Sequence, residues 1–181
     1  MVERLGAKTR LVRSKSELAD LDALIIPGGE SSTFLNFLHR DGFLDALKSF
    51  VAERPAFGTC AGAILLASEV TNPPQESLQA IDIAVARNAY GRQIDSAIKV
   101  AETKLPGGPI EMVYIRAPKI TRVGTGVEVL ADRDGDPVLV RSQDQRILVA
   151  TFHPELSVEG DDRIHREFLQ SVAKHKAALV H

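Results

Sequence analysis

Cysteine occurs once in the 181 residues, at Cys60. A single thiol excludes an internal disulfide. It suits a reducing cytoplasm, where a free thiolate persists. A positive excess is lacking too: the net charge is -2 and no basic block exceeds a few residues. That argues against nucleic acid or an anionic membrane as a partner. No apolar run approaches the ~20 residues of a membrane span. The first residues, MVERLGAKTR, show neither the apolar core nor the cleavage site of a signal peptide. No Cys/His cluster has metal-ligand spacing, so no metal and no cofactor are expected. There is no repeat and no low-complexity linker. What is present is ordinary for a globular chain: 44% hydrophobic and 25% charged residues. The length fits one domain, 1–181, with a core of real size.

Patterns of short elements follow along the chain. Val2 to Gly6 reads as the last turns of a helix closed by glycine. Thr9 to Val12 reads as a short strand and Ser16 to Ala19 as a helical turn. Ala23 to Ile26 is a compact apolar strand, stopped by Pro27-Gly28-Gly29. Ser31 or Ser32 can cap a helix through Phe34, Leu35 and Leu38. Phe43 to Arg54 is amphipathic and ends before Pro55. Ala56-Phe57 begins a buried strand, and Ala61 to Glu69 reads as a helix. Strand patterns then recur at 81–86, 98–101, 112–115, 127–130, 138–140 and 147–152. Asp132 to Asp136 forms a hairpin turn. A final helix spans about Asp161 to Leu179. Helix–strand alternation, then strands, then a helix predicts a three-layer α/β fold with a mixed sheet.

Three stretches can carry chemistry. Gly58-Thr59-Cys60-Ala61-Gly62 joins a strand to a helix. A sharp turn of that kind thrusts its central side chain into a cleft and needs small neighbours. The helix N-terminus favours thiolate over thiol. The turn alone also allows a small buried cysteine packed as a hydrophobe. His153-Pro154-Glu155 follows a strand. In an extended segment His153 and Glu155 face one side, so the carboxylate can orient the imidazole toward a thiol. Taken alone, the pair is equally a strand-end histidine beside a solvated glutamate. Gly28-Gly29 lets backbone N–H groups converge on an oxyanion, or forms an ordinary tight turn. Arg87 and Arg116, near strand ends, are candidates to bind a carboxylate or carbonyl. His39, His165, His175 and His181 read as surface residues.

Together PGGESST (27–33), GTCAGAILLA (58–67), ARNAYGRQIDS (86–96), YIRAP (114–118) and FHPELS (152–157) closely resemble the PdxT/SNO family. These are class I glutamine amidotransferases, the glutaminase subunits of pyridoxal 5'-phosphate synthase. The resemblance covers nearly the whole chain, in order. GTCAG with FHPE is shared by many class I amidotransferases, whereas PGGES, RNxxGRQ and IRAP are narrower. The resemblance implies a flavodoxin-like class I amidotransferase fold. It implies Cys60 as nucleophile, His153 as base and Glu155 as its orienter. Gly29, Glu30, Ser31, Arg87, Ile115 and Arg116 would hold L-glutamine. Gly28, Gly29 and Ala61 would form the oxyanion hole. The implied reaction releases glutamate and ammonia, and ammonia passes through a tunnel to a separate synthase subunit.

Two departures from the resemblance stand out. The family opens with a strand reading like GVLALQG and a helix ending in ERLGA. Here Met1-Val2-Glu3-Arg4-Leu5-Gly6-Ala7 begins near that helix's end, so the first strand is expected to be missing. That strand is expected between the ones leading to Gly28 and to Cys60, leaving both neighbours unpaired. The chain is therefore expected to be poorly soluble or inactive alone. Gln79 also stands where the family has glycine. Competing readings are ammonia supply to another synthase, such as imidazole glycerol phosphate synthase, a chaperone or redox sensor with a similar elbow, and an inactive structural partner. RNxxGRQ and IRAP argue against the first. Ala61, in the place where such sensors carry histidine, argues against the second.

Overall fold

The computed structural model describes residues 1–89 and 96–179. Tyr90 to Asp95, within the ARNAYGRQIDS motif, and Val180 and His181 lie outside the described residues.

Among the described residues, four α-helices and ten strands build the molecule. They are β1 (Leu24–Ile26), α1 (Ser31–Leu38), α2 (Phe43–Glu53), β2 (Ala56–Thr59), α3 (Ala61–Leu66), β3 (Ala67–Thr71) and β4 (Ile81–Ala86). Then follow β5 (Ser96–Ala101), β6 (Ile110–Ile115), β7 (Lys119–Val123), β8 (Val127–Arg133), β9 (Asp136–Ser142), β10 (Ile147–Ala150) and α4 (Arg163–Ala178). The main sheet has the order β1-β2-β10-β9-β8. Its first three strands are parallel and β9 and β8 run antiparallel, which makes it mixed as expected. β3-β4-β7 and β5-β6 form smaller sheets.

Period-2 alternation sorts the core onto two faces. Ala56, Ile147 and Val149 point to one face, against Leu35, Leu44, Leu47 and Leu65 of α1–α3. Phe57, Leu148 and Ala150 point to the other, against Ile164, Phe168 and Val172 of α4. Helices on both faces of a sheet give the three layers.

Several expectations change. Thr9 to Val12 is not a strand. Val2–Leu5 is a single 3-10 turn closed by Gly6, while the helical turn expected at Ser16 to Ala19 is present as the 3-10 turn Lys15–Leu18. α3 stops at Leu66, not Glu69. The carbonyls of Leu65 and Leu66 accept the N–H groups of Leu78 and Ala80, and the chain turns into β3. β7 had no clear alternating signal, since only Ile120 of KITRV is buried. The cap of α1 is Glu30, whose longer side chain reaches back to the Ser32 and Thr33 N–H groups.

The expected gap between the strands leading to Gly28 and Cys60 is absent. Leu24, Ile25 and Ile26 pair directly with Ala56, Phe57 and Gly58 in parallel register. The open side of β1 is the outer one. Gln79 adopts φ 54, the left-handed conformation that glycine takes without a steric cost.

Candidate active site

Because β1, β2 and β10 are parallel, their carboxyl ends lie at one edge of the sheet. Pro27-Gly28-Gly29, Cys60 and the segment leading to His153 leave from those ends. An open α/β sheet places its binding crevice there.

Cys60 sits at the junction of β2 and α3. It is 6% exposed and has φ 49 and ψ -105, a strained conformation for a residue with a Cβ. Its backbone N–H donates to Ala150 O at 2.9 Å, which ties the elbow to the end of β10. Two glycines make the turn possible. A Cβ at Gly62 would strike the Ile26 carbonyl oxygen, and one at Gly58 would lie 2.6 Å from the Gly62 backbone. The thiol reaches toward the Ile115 carbonyl, with Sγ 3.9 Å from the oxygen.

His153 leaves β10 with its N–H donating to Val113 O at 2.8 Å. β6 therefore borders both the thiol and the imidazole segment. His153 Nδ1 lies 2.8 Å from Glu155 Oε1. Hydrogen bonding to Cys60, then to Glu155, raises the imidazole to about 9 against the opposing effect of burial. For Glu155, burial pushes upward, but its bond to His153 and the nearby charges bring it below the ordinary range. Gly28 backs the ring: a Cβ there would overlap His153 Cε1. The structure thus joins the three residues that the sequence singled out as nucleophile, base and orienter.

Of the remaining predicted residues, Glu30, Ser31 and Arg87 lie together at the α1 N-terminus, whereas Ile115 and Arg116 lie apart from them at the end of β6. The Glu30 carboxylate accepts from Thr33 Oγ1 and Thr33 N, each at 2.8 Å, and from Ser32 N at 3.0 Å. Those bonds, the Thr33 hydroxyl foremost, lower it to about 2. Arg87 donates to Ser32 Oγ at 2.8 Å and lies 3.4 Å from Glu30 Oε1. Ser31 is buried, and its hydroxyl donates to Gln75 Oε1 at 2.8 Å. Arg116, exposed at the end of β6, has φ 45. Sequence reasoning missed Ser32 and Gln75 as partners of this group. Ser32 was legible only as a cap, and Gln75 lies in an irregular segment with no pattern. It also misplaced His165, which is 4% exposed and stacks edge-on against Phe57 with ring centroids 5.6 Å apart. His175 is only partly exposed.

A family model of the SNO glutamine amidotransferase family matches residues 1–174. The chain belongs to that family. Within it, the chain is 58% identical over 172 residues to the pyridoxal 5'-phosphate synthase subunit PdxT of Koribacter versatilis, covering 95% of this chain and 87% of that one. It is 48% identical to the PdxT of Solibacter usitatus, covering 94% and 90%. A solved glutamine amidotransferase superposes with a TM-score of 0.86 at 43% identity, covering 95% of this chain and 90% of that one. A Thermoplasma acidophilum protein assigned to GMP synthase shares the fold, with a TM-score of 0.72 at 18% identity, covering 99% and 88%. In this SNO-family chain, no described helix is long and apolar enough to cross a membrane.

Proposed function

We propose that residues 1–181 act as a single cytoplasmic glutaminase domain that supplies ammonia to the synthase subunit of a pyridoxal 5'-phosphate synthase. Membership in the SNO family and the PdxT name of its relatives support this reading. The single observation that carries the chemistry is the Cys60–His153–Glu155 arrangement at the end of two neighbouring parallel strands.

The arrangement supports a thioester route. The Cys60 thiolate attacks the side-chain amide carbon of L-glutamine. The oxyanion is held by the Ala61 N–H, on the first residue of α3, and by an N–H of Gly28 or Gly29. Each such donor is worth on the order of 3 kcal/mol in the transition state. His153, held protonated at neutral pH, gives its proton to the leaving nitrogen. Ammonia departs and leaves a Cys60 thioester. The neutral imidazole then takes a proton from water, hydroxide adds to the thioester, the C–S bond breaks, and glutamate leaves with its carboxyl proton lost to solvent, restoring the Cys60 thiolate beside protonated His153. Glu155 keeps the ring in place throughout. Arg87 and Arg116, with Glu30, Ser31 and the Ile115 backbone, hold the amino-acid end of glutamine. Ammonia is taken up by the synthase partner in a hetero-oligomer rather than released.

The experiment is glutamate release by the chain with and without a candidate synthase partner, beside trapping with an electrophilic glutamine analogue. The expected result is turnover stimulated by that partner, together with a covalent adduct on Cys60 by intact mass. Full turnover in Cys60→Ala would overturn the assignment.

A further inference from the structure

Gln75 lies in the irregular segment between β3 and β4. That segment is held from several sides. Leu78 and Ala80 give their N–H groups to the carbonyls of Leu65 and Leu66 at 2.7 and 2.9 Å. Glu76 takes Lys48 Nζ of α2 at 2.9 Å and lies 3.4 Å from Nε2 of His39, at the C-terminal end of α1. Asn72 Nδ2 donates to Asn88 O at 3.2 Å, one residue past Arg87. Ser77 and Leu78 are buried. The fold therefore aims the Gln75 side chain at the start of α1.

The two ends of its amide differ. Oε1 accepts from the Ser31 hydroxyl at 2.8 Å, and Ser31 is 3% exposed. Nε2 is buried without a partner among the described residues, which costs stability. A methionine would fill a similar space without that cost. What the glutamine adds is control of one proton. A serine hydroxyl has one hydrogen and two lone pairs. With the hydrogen committed to Gln75, Ser31 Oγ meets a ligand as an acceptor only. An ammonium group has donors and no acceptor, so it matches such an oxygen. The charges at this helix end divide in the same sense. Glu30, lowered to about 2, is anionic at neutral pH, and Arg87 stands 2.8 Å from Ser32 Oγ as the cation.

We infer that Gln75 is a positioning residue for the substrate, holding Ser31 Oγ as an acceptor for the α-ammonium group of glutamine and leaving the α-carboxylate to Arg87. This rests on the glutaminase reading of the site. It makes the α-amino group, as well as the side-chain amide, a requirement for tight binding.

The test compares the native chain, Gln75→Met, Ser31→Ala and the double variant, each with the candidate synthase partner. Conversion of labelled L-glutamine gives KM and kcat. Competition by 4-carbamoylbutanoate, which is glutamine without its α-amino group, gives a Ki. Gln75→Met is expected to raise KM about tenfold, the weight of one hydrogen bond to a charged group. Its kcat and its Ki for the deaminated analogue should stay within about twofold of native. In the Ser31→Ala background the same substitution should add nothing, because it acts through that hydroxyl. Gln75→Glu keeps the acceptor and should hold KM within about threefold, so it serves where the methionine variant fails to fold. An unchanged KM in Gln75→Met, an equal loss for the deaminated analogue, additive losses in the double variant, or a KM in Gln75→Glu as poor as in Gln75→Met overturns the inference alone. A native chain that neither converts nor binds L-glutamine overturns the glutaminase reading and this inference with it.

Discussion

Gly28 and His153 are packed so closely that any Cβ at residue 28 would overlap the imidazole Cε1. The loop after β1 thus sets the position of the ring that leaves β10. Gly28→Ala is expected to lower turnover about 100-fold, since a displacement of an ångström is enough for that. Alkylation of Cys60 by a small electrophile should persist, because the elbow itself is untouched. Steady-state glutaminase assays and thiol-labelling rates check this, and a Gly28→Ala enzyme with normal turnover would count against it.

His153 titrates at about 9, above its ordinary 6.5. The folded state therefore binds this proton more tightly than the unfolded chain does. That stabilisation is complete below about pH 6.5 and is lost as pH rises through about 9. Thermal midpoints are expected to fall more steeply across that window in the native chain than in His153→Gln. The difference should shrink in Cys60→Ala, because the bond to Cys60 is the largest cause of the shift. Superimposable profiles for the three proteins would show that the proton is not held this way.

Glu30 caps α1 through Ser32 and Thr33 and also faces Arg87. Glu30→Gln is expected to lower stability by about 1 kcal/mol, the usual cost of a weakened cap. Its contribution is present above pH 4.5 and is lost as pH falls through about 2, since its carboxyl is lowered to that value. The same substitution should raise KM for glutamine more than it lowers kcat, by freeing Arg87. Urea titrations with parallel kinetics separate the two effects. An unchanged KM would detach Arg87 from substrate binding.

Gln79 holds φ 54 on an exposed loop just before β4. Gln79→Gly is expected to stabilise the chain by about 1 kcal/mol, through relief of the left-handed strain. Activity should not change. Differential scanning calorimetry decides it, and a lower midpoint would mean that the side chain contributes more than the strain costs.

The elements proposed as catalytic were legible as a pattern because their signals are local. GTCAG needs small residues on both sides of a strained turn, and His153 and Glu155 need only the period of an extended segment. The burial of His165 was not legible. It depends on which face of α4 meets Phe57, a contact between distant parts of the chain. The length of α3 failed for the same reason, since the carbonyls of Leu65 and Leu66 are claimed by residues 78 and 80. The expected position of a missing strand failed on sheet order. Direct pairing of β1 with β2 is a matter of topology, which local pattern does not encode.

Cys60 and His153 are far apart in the chain, yet they hang from β2 and β10, which share a ladder in register from Ala56↔Ile147 to Thr59↔Ala150. Adjacent strands about 4.8 Å apart thus bring the two segments together, and a bond from His153 N–H to Val113 O of β6 fixes the second of them. Insertions between β4 and β9 that leave this ladder and the contacts of β6 intact would keep Cys60 and His153 in place. Within the excursion from β5 to β8, the connecting loops are free to diverge in length as long as β6 keeps its place beside the thiol and His153.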